Sequence, residues 1–262
     1  SGREGRGTNS AGPGECGLIG KKGVFMLSRL FSLLACALLL LSGCSDGEKG
    51  AKTFTVGFDA DFPPYGYVEN GVSKGLDLDL AREVARRNGW EIVIKPINWD
   101  AKDMELNSGS IDCIWNGFSM NGRETAYEWS EPYADNRQVV LVKKGSPIRS
   151  LKDLAGKIVA VQTDTPVQKA LMKGGEKEAL GKTFKRLIIS PNYNNAVMEL
   201  EAGSVDAVAL DSGVAQMKTA SSDQFVQLSE PVMTEQYGIG FRKGNTALRD
   251  AVQKTLKEMV AD

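Results

Sequence analysis

One twelve-residue pattern occurs twice. Residues 105–116 read ELNSGSIDCIWN and residues 199–210 read ELEAGSVDAVAL, both fitting E-L-x-x-G-S-[I/V]-D-x-[I/V]. In each copy a helical stretch runs into a glycine and a β-branched, apolar stretch follows. Glycine ends a helix well because it enters the left-handed conformation without a Cβ clash. A common helix–glycine–strand turn met twice by chance would look the same. Two lobes of like topology, each carrying one copy, account for it better.

The flanking elements agree with that plan. Residues 54–58 (FTVGF) read as a strand ending at Asp59, and residues 91–94 (EIVI) as another. Between them residues 76–88 read as a helix with Leu80 and Val84 on one face and Gly89 as its stop. Residues 157–161 (KIVAV) read as a strand, and Thr165-Pro166 then opens a helix with an N-cap and a first-turn proline. A strand at 185–189 precedes a helix at 193–202 that stops at Gly203. Leu248, Val252, Leu256 and Met259 share one face of a last helix. Strands alternating with helices imply parallel sheets and an α/β fold.

The first fifty residues follow other rules. Met26-Leu27-Ser28-Arg29 precedes the apolar run 30–41 (LFSLLACALLLL), which is shorter than the ~20 residues of a membrane span. A basic residue, a short apolar stretch and small residues describe an export signal. It ends Leu41-Ser42-Gly43-Cys44, which resembles a bacterial lipobox. That resemblance implies a signal peptide at 26–43, lipidation of Cys44 and a polar tether at 44–51. Residues 1–25 have no hydrophobic period and read as a read-through or cloning remnant. Cleavage before Cys44 leaves Cys113 without a disulfide partner. Residues 1–43 hold five basic and two acidic residues, so the net charge of −1 becomes −4 without them. An acidic exported domain has no basic face for nucleic acid. The chain has no histidine, which removes Ser-His-Asp and Cys-His chemistry and histidine metal sites. No phosphate loop or dinucleotide fingerprint is present. The residues imply no metal and no cofactor.

Candidate binding residues cluster at strand ends, where open α/β sheets bind ligands. Asp59-Ala60-Asp61-Phe62-Pro63-Pro64-Tyr65 puts two aromatics on a stiff loop, and Trp99 lies beyond the next strand. Flat rings can sandwich a cationic or amide group. Asn116-Gly117-Phe118-Ser119 follows the first repeat's strand and Asp211-Ser212 the second. Asp211 can hold an ammonium group, or cap the helix after it. Arg123 offers a fork for a carboxylate, and the helix N-terminus at Thr165 suits an anion. Together these groups complement a zwitterionic amino acid.

From residue 52 onward the chain resembles the polar amino-acid substrate-binding proteins of ABC importers. The resemblance rests on VGFDADFPPYGYVENG (56–71), GLDLDLAREVARR (75–87), SGSIDCIWNGFS (108–119), EPY (131–133), DLAGKIVAVQTDTP (153–166), GSVDAVALD (203–211) and EQYGIGFRKGN (235–245). It implies the periplasmic-binding-protein type II fold: two α/β lobes joined by two hinge strands. Lobe one would hold residues 52–136 plus 236–262, and lobe two residues 137–235, with hinges near 133–137 and 235–237. It further implies ligand contacts from Asp59 and Phe62, a second aromatic plate at Trp99, and ammonium contacts at Gly117 and Ser119. Arg123 becomes the carboxylate clamp, Gln162 and Thr165 the second-lobe contacts, and Asp211 the ammonium partner.

Three departures stand out. The stretch from Ser119 to Arg123 is one residue shorter than the common form and contains Gly122. The usual Gly-Thr-Thr-like turn reads Asp164-Thr165-Pro166. The chain stops at Asp262, short of a usual Trp-containing closing segment, so a fragment is expected.

The expected function is a non-enzymatic, lipid-anchored, extracytoplasmic protein. It would capture a polar amino acid by hinge closure and deliver it to an ABC permease, working as a monomer. An enzyme on the same fold, such as a cyclohexadienyl dehydratase, and an amino-acid sensor domain are the alternatives. Acidic residues at Asp59, Asp61 and Asp164 allow a basic ligand, while Gln162 and Trp99 suit glutamine or cystine.

Overall fold

A computed structural model of the protein describes residues 51–262. The signal, the lipobox, most of the tether and Cys16, Cys36 and Cys44 lie outside the described residues. Fourteen strands are described, in chain order. They are β1 (Thr53–Asp59), β2 (Asp61–Phe62), β3 (Gly66–Glu69), β4 (Val72–Lys74), β5 (Glu91–Ile97), β6 (Cys113–Ile114) and β7 (Glu128–Trp129). Then follow β8 (Ala134–Lys143), β9 (Ile158–Gln162), β10 (Arg186–Ser190), β11 (Ala207–Asp211), β12 (Phe225–Gln227), β13 (Met233–Tyr237) and β14 (Gly240–Phe241). The helices are α1 (Leu76–Asn88), α2 (Lys102–Ser108), α3 (Pro166–Leu171), α4 (Glu178–Gly181), α5 (Tyr193–Ala202), α6 (Ser212–Ser221) and α7 (Thr246–Ala261).

Two sheets carry the fold. One has five strands in the order β5-β1-β6-β14-β7, and the other has β10-β9-β11-β8-β12 with β13 paired to β8. A small hairpin sheet, β2-β3-β4, follows the first strand. β1 runs parallel to β5 and β6, and β9 runs parallel to β10 and β11. β8 and β13 pair antiparallel from Ala134↔Tyr237 to Gln138↔Met233. They carry the chain out of the first sheet and back to it.

The repeat is a structural repeat down to single hydrogen bonds. α2 ends at Gly109 and α5 at Gly203, both left-handed, with φ of 79° and 78°. Ser110 N–H donates to the Glu105 carbonyl at 3.0 Å, and Ser204 N–H to the Glu199 carbonyl at 2.9 Å. The aspartate of each copy then clasps the neighbouring strand. Asp112 N–H donates to the Thr55 carbonyl at 2.8 Å and its carboxylate accepts from Thr55 N–H at 2.7 Å. Asp206 N–H donates to the Ile158 carbonyl at 2.8 Å and its carboxylate accepts from Ile158 N–H at 2.7 Å. The pattern G-S-[I/V]-D therefore encodes a helix stop plus a docking clasp.

Each sheet face is sealed by amphipathic helices. α1 buries Leu78, Ala81, Val84 and Ala85 against Phe54, Val56 and Phe58. Leu80, expected on the core face, is only partly buried, because the fully buried stripe starts at Leu78. α7 adds Leu248 and Val252 to the same core, with Leu256 and Met259 packed at its margin. Burying a side chain of this size stabilises the fold by about 1.5–3 kcal/mol. In the second sheet α5 places Ala196, Val197 and Leu200 over Val208 and Leu210. Cys113 is a buried free thiol in β6, its pKa pushed up by burial and the thiol so unreactive. No helix of the described residues is long and apolar enough to cross a membrane.

Candidate functional site

The carboxyl ends of β1, β6, β9 and β11 open onto one cavity. Its lining holds Asp59, Phe62, Trp99, Gly117, Ser119, Arg123, Gln162, Thr165 and Asp211, the nine residues singled out from the sequence. Asn116, Phe118, Asp164 and Pro166 complete it. About 20 Å³ of this cavity is open to the centre of a water molecule. One water needs roughly 10–15 Å³ on that measure, so an amino acid enters only if the loops part. Polar bonds draw those loops together. Gln162 Nε2 donates to the Asp59 carboxylate at 2.9 Å, and Asn192 and Asn194 donate to Asp61 at 2.9 and 2.6 Å.

Two buried carboxylates line the cavity. Asp59 ends β1 and is 8% exposed; it accepts from Asp61 N–H at 2.9 Å as well as from Gln162. Burial raises its pKa against the pull of those hydrogen bonds. Asp211 ends β11 and is 3% exposed. Its carboxylate makes no cap bond to α6. It accepts from Tyr193 Oη at 2.7 Å, from Tyr237 Oη, and from Asn136 Nδ2 at 2.7 Å. Burial raises its pKa too. Behind it Glu235 accepts from Asn136 at 2.6 Å and Gln138 at 2.7 Å. Burial and the Asp211 charge push the Glu235 pKa up to about 8. Among the described residues, no cationic side chain is bonded to Asp59 or Asp211.

The lining also holds a guanidinium. Arg123, 6% exposed, lies over the Phe118 ring at 4.9 Å, donates to the Ser119 carbonyl at 3.0 Å and donates to the Asp164 carbonyl. Thr165 caps α3: its hydroxyl accepts from Gln168 N–H at 3.3 Å and donates to the Gln162 carbonyl at 2.8 Å. The departure at Asp164 places a carboxylate beside this clamp, with a left-handed φ of 47°. Burial pushes the Asp164 pKa up, but Lys102, Lys169 and Arg123 outweigh it and hold it at about 2.

The aromatic groups divide their work. Phe62 lines the cavity and stacks on Tyr65 at 5.5 Å and Tyr193 at 5.8 Å. Tyr65, read from the sequence as a second ring for the ligand, lies outside the lining. It backs Phe62 and meets Tyr237 edge-on at 5.2 Å. Trp99 opens the turn before α2 and packs edge-on against Phe118 at 5.4 Å.

Two supports were not found from the sequence, and a third residue, Asn116, was placed at its strand end without a role. Asp77, fully buried at the start of α1, accepts from Gly117 N–H at 2.5 Å and Tyr133 Oη at 2.7 Å, and burial raises its pKa to about 7. It pins the Gly117 loop. Asn116 accepts from Asp59 N–H at 2.5 Å and leaves its own Nδ2 unpartnered in the cavity wall. Asn136, Gln138, Tyr193, Tyr237 and Glu235 form the hydrogen-bonded floor under Asp211. A legible signal existed for Asp77, an acidic residue in an otherwise apolar helical face. None existed for the floor, whose members are scattered from 136 to 237.

Comparison with known proteins gives a consistent result. Residues 54–262 match the family described as bacterial extracellular solute-binding proteins, family 3. The arginine-binding extracellular protein ArtP of Bacillus subtilis is 31% identical, over 88% of this chain and 91% of its own length. The L-cystine-binding protein TcyJ of Escherichia coli is 28% identical, over 84% of this chain and 82% of its own. Among solved structures, holo ArgBP from T. maritima superposes with a TM-score of 0.70 at 35% identity, covering 79% of this chain and 90% of that one. A histidine-bound ABC uptake transporter substrate-binding protein from Streptococcus pneumoniae gives 0.73 at 28%, covering 79% and 87%.

Proposed function

This chain belongs to family 3 of the bacterial extracellular solute-binding proteins, and from that premise we propose that it captures a free α-amino acid, preferably one with a cationic side chain. The lobes would be residues 52–136 plus 236–262 and residues 137–235. They would close about hinges near 133–137 and 235–237, where β8 and β13 pair. A ligand that bridges both lobes favours the closed form by its differential affinity for it. The permease of an ABC importer would then read the closed form. Lipidation at Cys44 would hold the protein at the outer face of the cytoplasmic membrane.

The carrying observation is the charge pattern of the cavity. It presents two desolvated carboxylates with no cationic partner, Asp59 and Asp211, a third already paired with lysines, Asp164, and one guanidinium, Arg123. An amino acid with a cationic side chain supplies the complement: two positive groups and one carboxylate. The α-ammonium would go to Asp211, the carboxylate to Arg123 and the helix start at Thr165. The side-chain cation would go to Asp59, between Phe62 and Trp99. Gln162, Ser119 and the Gly117 backbone would add polar contacts. ArtP, named for arginine, and the histidine-bound relative agree with this choice.

A thermal-shift screen against the twenty amino acids and cystine tests the reading. A ligand at 100 times its Kd adds about 2.7 kcal/mol to stability. The largest shift is expected with arginine, lysine or histidine. A largest shift with a neutral or acidic amino acid overturns the cationic preference, and no shift with any overturns amino-acid capture. Cys44→Ser should release the protein from membranes, and continued attachment would refute the lipid anchor.

A further inference from the structure

Lys102 is the one lysine buried among the described residues, at 2% exposed. It is the first residue of α2, and its side chain runs inward. Its ammonium lies 5.1 Å from the centre of the Trp99 ring, 3.4 Å from the Trp99 carbonyl, and in an ion pair with Asp164. Trp99 and Asp164 both line the cavity, whereas Lys102 stands behind them. Asp164 is also 2.7 Å from the ammonium of Lys169, which is 51% exposed, and 3.6 Å from Arg123. Three cations therefore share one carboxylate beside the clamp.

A buried ammonium is expensive to keep and stays charged only with a close partner. Lys102 also joins the two halves of the site, since α2 follows a strand of the first sheet and Asp164 follows β9 of the second. The arrangement has a plain consequence for a ligand carboxylate arriving at Arg123. Asp164, left to itself, would repel it and compete for the guanidinium. With Lys102 against it, that charge is neutralised and a second carboxylate completes the balance.

We propose that Lys102 is a positioning residue for ligand capture: by pairing with Asp164 it neutralises that carboxylate beside Arg123, so that Arg123 can take the carboxylate of an amino acid. The assignment rests on the amino-acid reading above. It predicts that the two side chains are coupled, and that the harm done by removing Lys102 comes from Asp164.

The test is a double-mutant cycle by calorimetry, with L-arginine and L-glutamine as probes on the parent, Lys102→Met, Asp164→Asn and the double variant. Methionine keeps the apolar stem of lysine, and a melting curve checks that each variant is folded. Lys102→Met should weaken binding at least tenfold. Asp164→Asn alone should weaken binding less than Lys102→Met does. The double variant should return to within threefold of the parent. A purely packing role for Lys102 would leave the double variant as weak as Lys102→Met, which overturns the proposal. So does parent-like binding by Lys102→Met. Those results leave the amino-acid reading standing. A parent that binds neither probe overturns this assignment together with the ligand class it rests on.

Discussion

Replacing Asp211 by Asn should weaken ligand binding strongly while shifting the Tm of the ligand-free fold by no more than a few degrees. The two effects follow from the same buried carboxylate. Its Oδ1 accepts from Asn136 and Tyr237, and its Oδ2 accepts from Tyr193. In the Asp211→Asn variant the amide oxygen can take over the first two bonds. The amide nitrogen can donate to the Tyr193 hydroxyl, which accepts as readily as it donates. The Tyr193 O–H hydrogen then loses its acceptor, which costs about 1–3 kcal/mol. A buried negative charge next to Glu235 disappears, and with it a desolvation penalty on the order of a few kcal/mol that offsets the lost bond. A chain of this size gains roughly 2–4 °C of Tm per kcal/mol. The ligand loses more. Its ammonium would be buried without a counter-charge, which costs about 2–5 kcal/mol, or roughly thirty- to several-thousandfold in Kd. Calorimetry gives the affinity and melting curves without ligand give the stability. Affinity within threefold of the parent would refute the ammonium assignment. A Tm several degrees below the parent's would refute the account of the floor.

Three further outcomes follow from the geometry. Glu235 has a folded pKa of about 8, above the ordinary 4.5, so the folded state keeps a proton that the unfolded chain releases in that interval. Stability should fall as pH rises from about 4.5 to 8, by up to ~1.4 kcal/mol per unit, and Glu235→Gln should flatten that slope in urea titrations; an unchanged slope counts against it. Arg123→Lys keeps the charge but loses the fork and the hold on the Ser119 carbonyl, so affinity should drop roughly ten- to a hundredfold by calorimetry. Gly117→Ala would put a Cβ 2.6 Å from the Phe62 ring at a φ of 53°, at a cost of about 1–2 kcal/mol in backbone strain alone, and both Tm and affinity should fall.

Local chemistry made much of this protein legible as a string of residues. Helix stops at Gly89, Gly109 and Gly203, the Thr165-Pro166 start and the repeated G-S-[I/V]-D clasp depend on neighbours within a few positions or on one adjacent strand. Their periods and caps therefore read directly, and strand ends together with the family resemblance named nine residues that line one cavity. Tertiary packing alone decided what surrounds them. Tyr65 looked like a ligand plate because its loop is aromatic, yet Phe62 and Tyr237 claim its ring. Asp77 pins the Gly117 loop across 40 positions, and Asn136 reaches Asp211 across 75 and Glu235 across 99. Lys102 opens a polar-looking helix, and only the meeting of that helix with the loop after β9 buries it against Asp164. The charge of a group belongs to its residue type, but its pKa and its partner are set by burial, and burial is a property of elements that meet from distant parts of the chain.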